Sequence, residues 1–215
     1  MTQRPLQVID LHSILRRRIR GWKGKLIPGF LISALARVVR QKELNEMLRN
    51  AYPKEGSAFA ASILETLRIR LDVRGLERLP EGRAWAFASN HPLGGLDGIA
   101  LISVLGNRYG DENVKFLVND MLMNVEPLQK VFLPVNKYGS QGRGATLAIN
   151  EAYASDCHIL QFPAGLVSRL QDNGEISDLE WKKAFVAKAL DFDRDIVPIH
   201  FEALNTPFFY RLARL

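Results

Sequence analysis

The chain has 215 residues, 47% hydrophobic and 24% charged, with a formal net charge of +6. That length and balance exclude global disorder and leave room for one domain with a sizeable core, with or without a helical arm. The single cysteine, Cys157, excludes an intramolecular disulfide framework and reads as a buried small hydrophobe, and the first residues lack the continuous apolar run of a signal peptide.

The charge is uneven along the chain. Residues 1–50 hold 11 Lys+Arg against 3 Asp+Glu, a balance of +8, and the remaining 165 residues hold 18 against 20, a balance of −2. A basic N-terminal part on a near-neutral body fits an anionic surface as partner, or a solvated basic face with no partner. From Leu11 to Leu26 the residues Leu11, Ile14, Leu15, Ile19, Trp22 and Leu26 share one helical stripe, with Arg16, Arg17, Arg20 and Lys23 mostly opposite. Pro28-Gly29 breaks this pattern, and a second helical pattern runs from Leu31 to Leu48. The apolar stretch from Leu26 to Ala36 is shorter than the roughly 20 residues a bilayer span requires. Two readings stand for it: a segment lying in a membrane interface, or a helical pair packed on the body.

The segment Tyr52–Ser57 reads as a loop, and a helix follows to about Thr66. Arg68–Arg74 alternates strictly between polar and apolar residues, which predicts a half-buried strand. Short apolar runs then recur at 84–88, 114–118, 131–135, 158–162 and 196–201, separated by helix-like segments at 99–105, 145–154 and 179–190. Buried strands alternating with helices predict an α/β fold with a mostly parallel sheet flanked by helices. The expected division is a basic amphipathic arm over residues 1–66, membrane-facing, and an α/β domain over 67–215. His158 and His200 fall within apolar strand patterns and read as core histidines, whereas Pro198 is unusual inside a strand. There is no Cys/His cluster at metal-ligand spacing and no HExxH, so no metal is expected; no G-x-S-x-G elbow is present either.

In such folds, functional groups collect in the loops after the strands. The run 84–89 leads directly into Asn90-His91-Pro92-Leu93-Gly94-Gly95-Leu96-Asp97-Gly98. The proline and glycines shape a tight turn, so a histidine at its start and an aspartate near its end can fold back to pair. One reading is a general base with its orienting carboxylate; the other is a helix-capping Asp beside a structural His.

Three further segments belong with this turn. Phe162-Pro163-Ala164-Gly165-Leu166-Val167-Ser168-Arg169 follows one strand pattern, Phe132–Arg143 spans another and the loop after it with Lys137 and Arg143, and Val197-Pro198 lies in the last. In this order the four blocks resemble those of the glycerolipid and lysophospholipid acyltransferase superfamily, over roughly residues 67–205. The usual four residues between His and Asp are five here, and the usual glutamate of the third block is Ala164. These departures look like the haemolysin-like branch, which includes O-acyltransferases of bacterial aminolipid synthesis.

The resemblance implies an O-acyltransferase that moves a fatty acyl group from acyl-carrier protein or coenzyme A to the hydroxyl of a lyso-lipid. His91 would be the base, Asp97 its partner, the Gly165 amide an oxyanion donor, and Lys137, Arg143 and Arg169 the substrate-binding cations. It implies no cofactor beyond the thioester substrate, no nucleic-acid partner, an anionic membrane surface as docking site, and a peripheral position on the cytoplasmic face. It also implies more chain after the amphipathic pattern Phe208–Leu215. The alternative is a non-catalytic lipid-surface module on the same fold.

Overall fold

The computed structural model describes residues 10–12, 28–38, 40–135 and 143–213. The expected helix over Leu11–Leu26 falls almost wholly outside them, as do Lys137 and the residues before Arg143. The second helical pattern is two helices, α1 (Gly29–Val38) and α2 (Gln41–Ala51), with Arg40 between them in the left-handed region at φ 52°. A residue in that conformation cannot continue a right-handed helix, which explains the break. Helix α3 (Gly56–Thr66) follows the loop and buries Phe59, Ala60, Ile63 and Leu64.

Residues 69–74 run extended but pair with no strand, which corrects the expected strand at 68–74. The alternation persists in burial only at first: Ile69 and Leu71 are half-buried and Arg70, Asp72 and Arg74 exposed, but Val73 is exposed as well. The segment forms no ladder because a cavity of about 700 Å³ lies between it and the sheet edge.

Five strands form the main sheet: β1 (Ala86–Ser89), β2 (Val114–Asn119), β3 (Phe132–Val135), β4 (His158–Gln161) and β7 (Ile196–Ile199). Every neighbouring pair is parallel, in the order β3-β2-β4-β1-β7. The interior strand β1 is buried along its whole length, as expected where helices cover both faces. Pro134 and Pro198 lie on β3 and β7, the two edge strands, where a missing N–H costs least; the oddity of Pro198 disappears once β7 is seen to be an edge.

Crossover helices α4 (Gly95–Tyr109), α5 (Arg143–Ala154) and α6 (Ala184–Asp191) connect the strands. Alternate strand residues feed two cores: Phe87, Phe116 and Leu160 pack with α2, α3 and α4, whereas Ala86 and Ile159 pack with Ile149, Tyr153 and Ala189. Leu48, Ala51, Phe59, Ala60 and Ile63 belong to the first of these cores. Helices α2 and α3 thus pack on the sheet through these residues. Between Leu170 and Ile176 the chain turns through a short antiparallel hairpin, β5 (Arg169–Leu170) and β6 (Ile176–Ser177), which precedes α6. Helix α7 (Pro207–Leu212) starts at Thr206, whose hydroxyl accepts the Phe209 N–H at 3.3 Å.

Two buried polar groups, one on each side of the sheet, add to this packing. Arg194 gives its guanidinium hydrogens to the carbonyls of Ala152, Tyr153, Ser155 and Cys157, satisfying the C-terminal end of α5. His158 is a core histidine as expected: its Nδ1 accepts the Trp85 N–H at 3.2 Å. Burial, with a smaller push from the Arg194 charge, holds its pKa below the usual value, so it stays neutral. His200 is exposed instead, because β7 ends at Ile199 and the next residue sits at the cavity rim. No helix among the described residues is long and apolar enough to cross a membrane.

Candidate active site

The site is built where β1 and β4, two adjacent central strands, end. β1 stops at Ser89 and the chain enters the His91 turn; β4 stops at Gln161 and the chain enters the Phe162 turn. Gly94, at φ 77°, makes the bend that starts α4, and a side chain there would press against Val167 of the neighbouring turn. Asp97 is thus the third residue of α4, and its carboxylate reaches back into the turn.

His91 Nδ1 and Asp97 Oδ2 are 2.9 Å apart. The same Oδ2 accepts the amides of Leu93 at 2.8 Å and Gly94 at 2.9 Å. Asp97 is fully buried, and among the described residues its Oδ1 has no hydrogen-bond partner. A buried carboxylate with one unbonded oxygen is a costly arrangement if capping α4 is its whole purpose. With Oδ2 acting as acceptor, His91 carries its proton on Nδ1, which leaves Nε2 with a free lone pair for a substrate proton. The imidazole stacks on Phe162, with centroids 4.0 Å apart and planes at 22°. One face of the ring is covered, its plane is set by Phe162, and its rotation is set by Asp97. The sequence expectation of a His91–Asp97 pair is therefore met in geometry, and Asp97 caps the helix as well.

The backbone of His91 is held on both sides. Its carbonyl accepts the Ser168 N–H at 2.9 Å, and its N–H donates to Asp178 Oδ1 at 3.2 Å. Asn90 fixes the loop after β7 by a reciprocal pair with the Phe201 backbone, at 3.0 and 2.7 Å. Asn205 donates to the Pro92 carbonyl at 2.7 Å, joining the approach to α7 to the same turn. Asn90, Phe162 and Ser168 lie inside the motifs read from the sequence but carried no assigned role there. Asp178 lies outside them.

The remaining expected residues sit as follows. Gly165 has φ 67°, and its N–H donates to the Phe162 carbonyl at 2.9 Å, so that amide is engaged in closing its own turn. Ala164 is buried at 5% exposure, so the place of the usual glutamate is a packed one. Arg169 is half-buried; its NH1 donates to the Val167 and Ser168 carbonyls at 2.9 and 3.4 Å, and its guanidinium lies 5.5 Å from the Phe209 ring. Arg143 opens α5, but its side chain, like all of Lys137, lies outside the described residues.

The cavity adjoins this turn. Leu93 and Leu96, on either side of Gly94-Gly95, line it together with Ala100 and Leu101 of α4, Val197 of β7 and Leu71 of the extended segment. Its walls are largely aliphatic, and Arg70, Arg74, His200 and Glu202 also line it. Among the described residues no group of three or more His, Cys, Asp or Glu stands together as a metal site.

The family model described as acyltransferase matches residues 20–215. A lyso-glycine lipid O-acyltransferase of Phocaeicola vulgatus is 47% identical over 215 residues, covering 100% of this chain and 76% of that protein. A lyso-glycine lipid O-acyltransferase of Bacteroides thetaiotaomicron is 44% identical over the same length, covering 100% and 78%. No solved structure matches. The chain belongs to the acyltransferase family and is an O-acyltransferase.

Proposed function

We propose that this enzyme transfers a fatty acyl group from an acyl thioester, of coenzyme A or acyl-carrier protein, to the hydroxyl of a lyso-aminolipid. Two relatives bearing the name lyso-glycine lipid O-acyltransferase, each matched over the whole of this chain, support the acceptor class. The observation that carries the chemistry is the His91–Asp97 contact of 2.9 Å, with Asp97 fully buried.

An alcohol is a weak nucleophile at neutral pH, so its proton must leave as the new C–O bond forms. His91 Nε2 takes that proton while the hydroxyl oxygen attacks the thioester carbonyl. Asp97 stabilises the imidazolium that results. The tetrahedral oxyanion needs preorganised donors, for which the backbone amides of the turn Phe162–Ser168 beside His91 are the candidates. The Gly165 amide can do so only by exchanging its bond to Phe162 for one to the oxyanion. Collapse of the intermediate breaks the C–S bond, and the departing thiolate recovers the proton from His91. The products are an ester and a free thiol.

The aliphatic cavity beside Leu93 and Leu96 suits a fatty chain. Arg169 donates from NH1 to backbone carbonyls and, among the described residues, retains Nε and NH2 for an acidic head group. Arg143 begins α5, the helix after β3, and Lys137 precedes it in sequence. The basic balance of residues 1–50 favours docking on an anionic membrane surface, with the protein peripheral and acting on lipid substrates at the cytoplasmic face. No nucleic acid enters this scheme.

The test is mass spectrometry of products from the purified full chain. It would be offered lyso-glycine lipid and lysophospholipid acceptors in anionic vesicles, with acyl-CoA or acyl-carrier-protein thioesters. The expected product is the lyso-glycine lipid gaining one ester-linked acyl chain. Acylation of lysophospholipid alone would overturn the acceptor, and no ester with any pair would overturn the whole reading.

A further inference from the structure

The His91 turn leaves its strand two residues before the histidine, so neither sheet nor helix fixes the backbone that carries the base. Three side chains and one amide hold the residue instead, two at the ring and two at the backbone. Asp97 holds the ring nitrogen and Phe162 holds the ring plane. The Ser168 amide holds the His91 carbonyl, and Asp178 holds the His91 amide.

The hairpin β5/β6 explains how Asp178 gets there. Its register pairs Arg169 with Ser177, so the next residues outward, Ser168 and Asp178, come opposite one another. Ser168 Oγ donates to Asp178 Oδ1 at 2.6 Å, the same oxygen that receives the His91 amide. Trp181 Nε1 donates to Oδ2 at 2.9 Å. The two oxygens thus act only as acceptors, for three donors from three segments: the turn after β1, the turn after β4, and the approach to α6. The Lys182 amide, which donates to the Pro163 carbonyl at 3.2 Å, closes the same approach onto the Phe162 turn. Asp178 lies 87 residues from His91 in sequence, yet it links the base directly to the segment that flanks it.

We propose that Asp178 is a positioning residue for the acyl transfer: its carboxylate locks the His91 backbone against the Ser168 turn, so that Nε2 meets the acceptor hydroxyl at the attacking distance. It touches neither substrate nor the imidazole. Its contribution is the placement of the base relative to the oxyanion side of the site, where a displacement of about 1 Å costs on the order of 10²-fold in rate. This inference rests on His91 being the base.

The experiment measures kcat and KM for lyso-glycine lipid and acyl thioester, with melting temperature, in the full chain and in His91→Ala, Asp178→Ala, Asp178→Asn, Trp181→Phe and Asp178→Asn/Trp181→Phe. His91→Ala reports on the base alone; if it keeps full activity the reading of the base fails, whatever Asp178 does. With His91→Ala inactive, Asp178→Ala is expected to lower kcat ~10–10²-fold with both KM values within about twofold, the signature of a group that acts on the transition state alone. Asp178→Asn keeps one acceptor oxygen for His91 and Ser168 but turns an amide N–H₂ toward the Trp181 N–H, so it should lose part of kcat. Replacing Trp181 by Phe removes the opposing donor and should bring kcat back toward the parent. Should the alanine variant fail to fold, the asparagine pair decides alone. An unchanged kcat in Asp178→Asn, or a loss that Trp181→Phe does not relieve, overturns the proposal. So does a fall in melting temperature with kcat intact, which would make Asp178 a pin of the loop only.

Discussion

Oδ2 of Asp97 accepts from three groups, and each acceptance does a different job: the two amides shape the turn, and His91 Nδ1 sets the tautomer. The choice between base partner and helix cap is therefore not exclusive, and one substitution separates their weights. Asp97→Asn keeps an acceptor for the amides but removes the charge that stabilises the imidazolium. Turnover should fall by ~10²-fold or more, whereas stability should fall by about 1 kcal/mol, the worth of a weakened cap. Steady-state kinetics beside thermal unfolding checks this; a large drop in melting temperature with unchanged turnover would make Asp97 a cap alone. The pair was legible in the sequence because both residues lie in one turn after one strand. Asp178 was not, because its link to His91 depends on a hairpin register. Asn173-Gly174 is the local signal that would have found that hairpin, since Gly174 sits at φ 85° in its turn.

Helices α3 and α4 approach closely through small residues, and Asp111 closes their junction. Its two carboxylate oxygens accept the Ser57 amide at 3.0 and 3.1 Å, near the start of α3. A methyl group on Gly106 would overlap the Asp111 carboxylate and come within 2.7 Å of Ser57 Cβ. Gly106→Ala should therefore destabilise the protein by roughly 1–3 kcal/mol as overpacking, despite alanine's better helix propensity. Denaturant unfolding measures it, and an unchanged or raised stability would show that the interface yields freely. The five sheet strands were legible as apolar runs because helices cover both faces of a parallel sheet. Residues 69–74 misled for a physical reason: alternation reports one wet and one buried face, and a segment lining a cavity has both without a strand partner. The start of α6 was set too early because Trp181 and Lys182, which read as helical, are spent on Asp178 and Pro163.

At the scale of the whole molecule, the sheet gathers at one end what the chain keeps far apart. His91 follows β1, the flanking turn follows β4, and residues 69–74 and β7 line the cavity beside them. Residues of α2 and α3 are part of the core that supports this. The central claim is that this architecture exists to hold one imidazole as a base. The most direct measurement is turnover of acyl thioester and lyso-glycine lipid by His91→Ala, with circular dichroism and melting temperature showing that the variant is folded. A folded variant with product formation reduced ~10²–10⁴-fold is the predicted result; a folded variant that turns over like the parent would contradict the account.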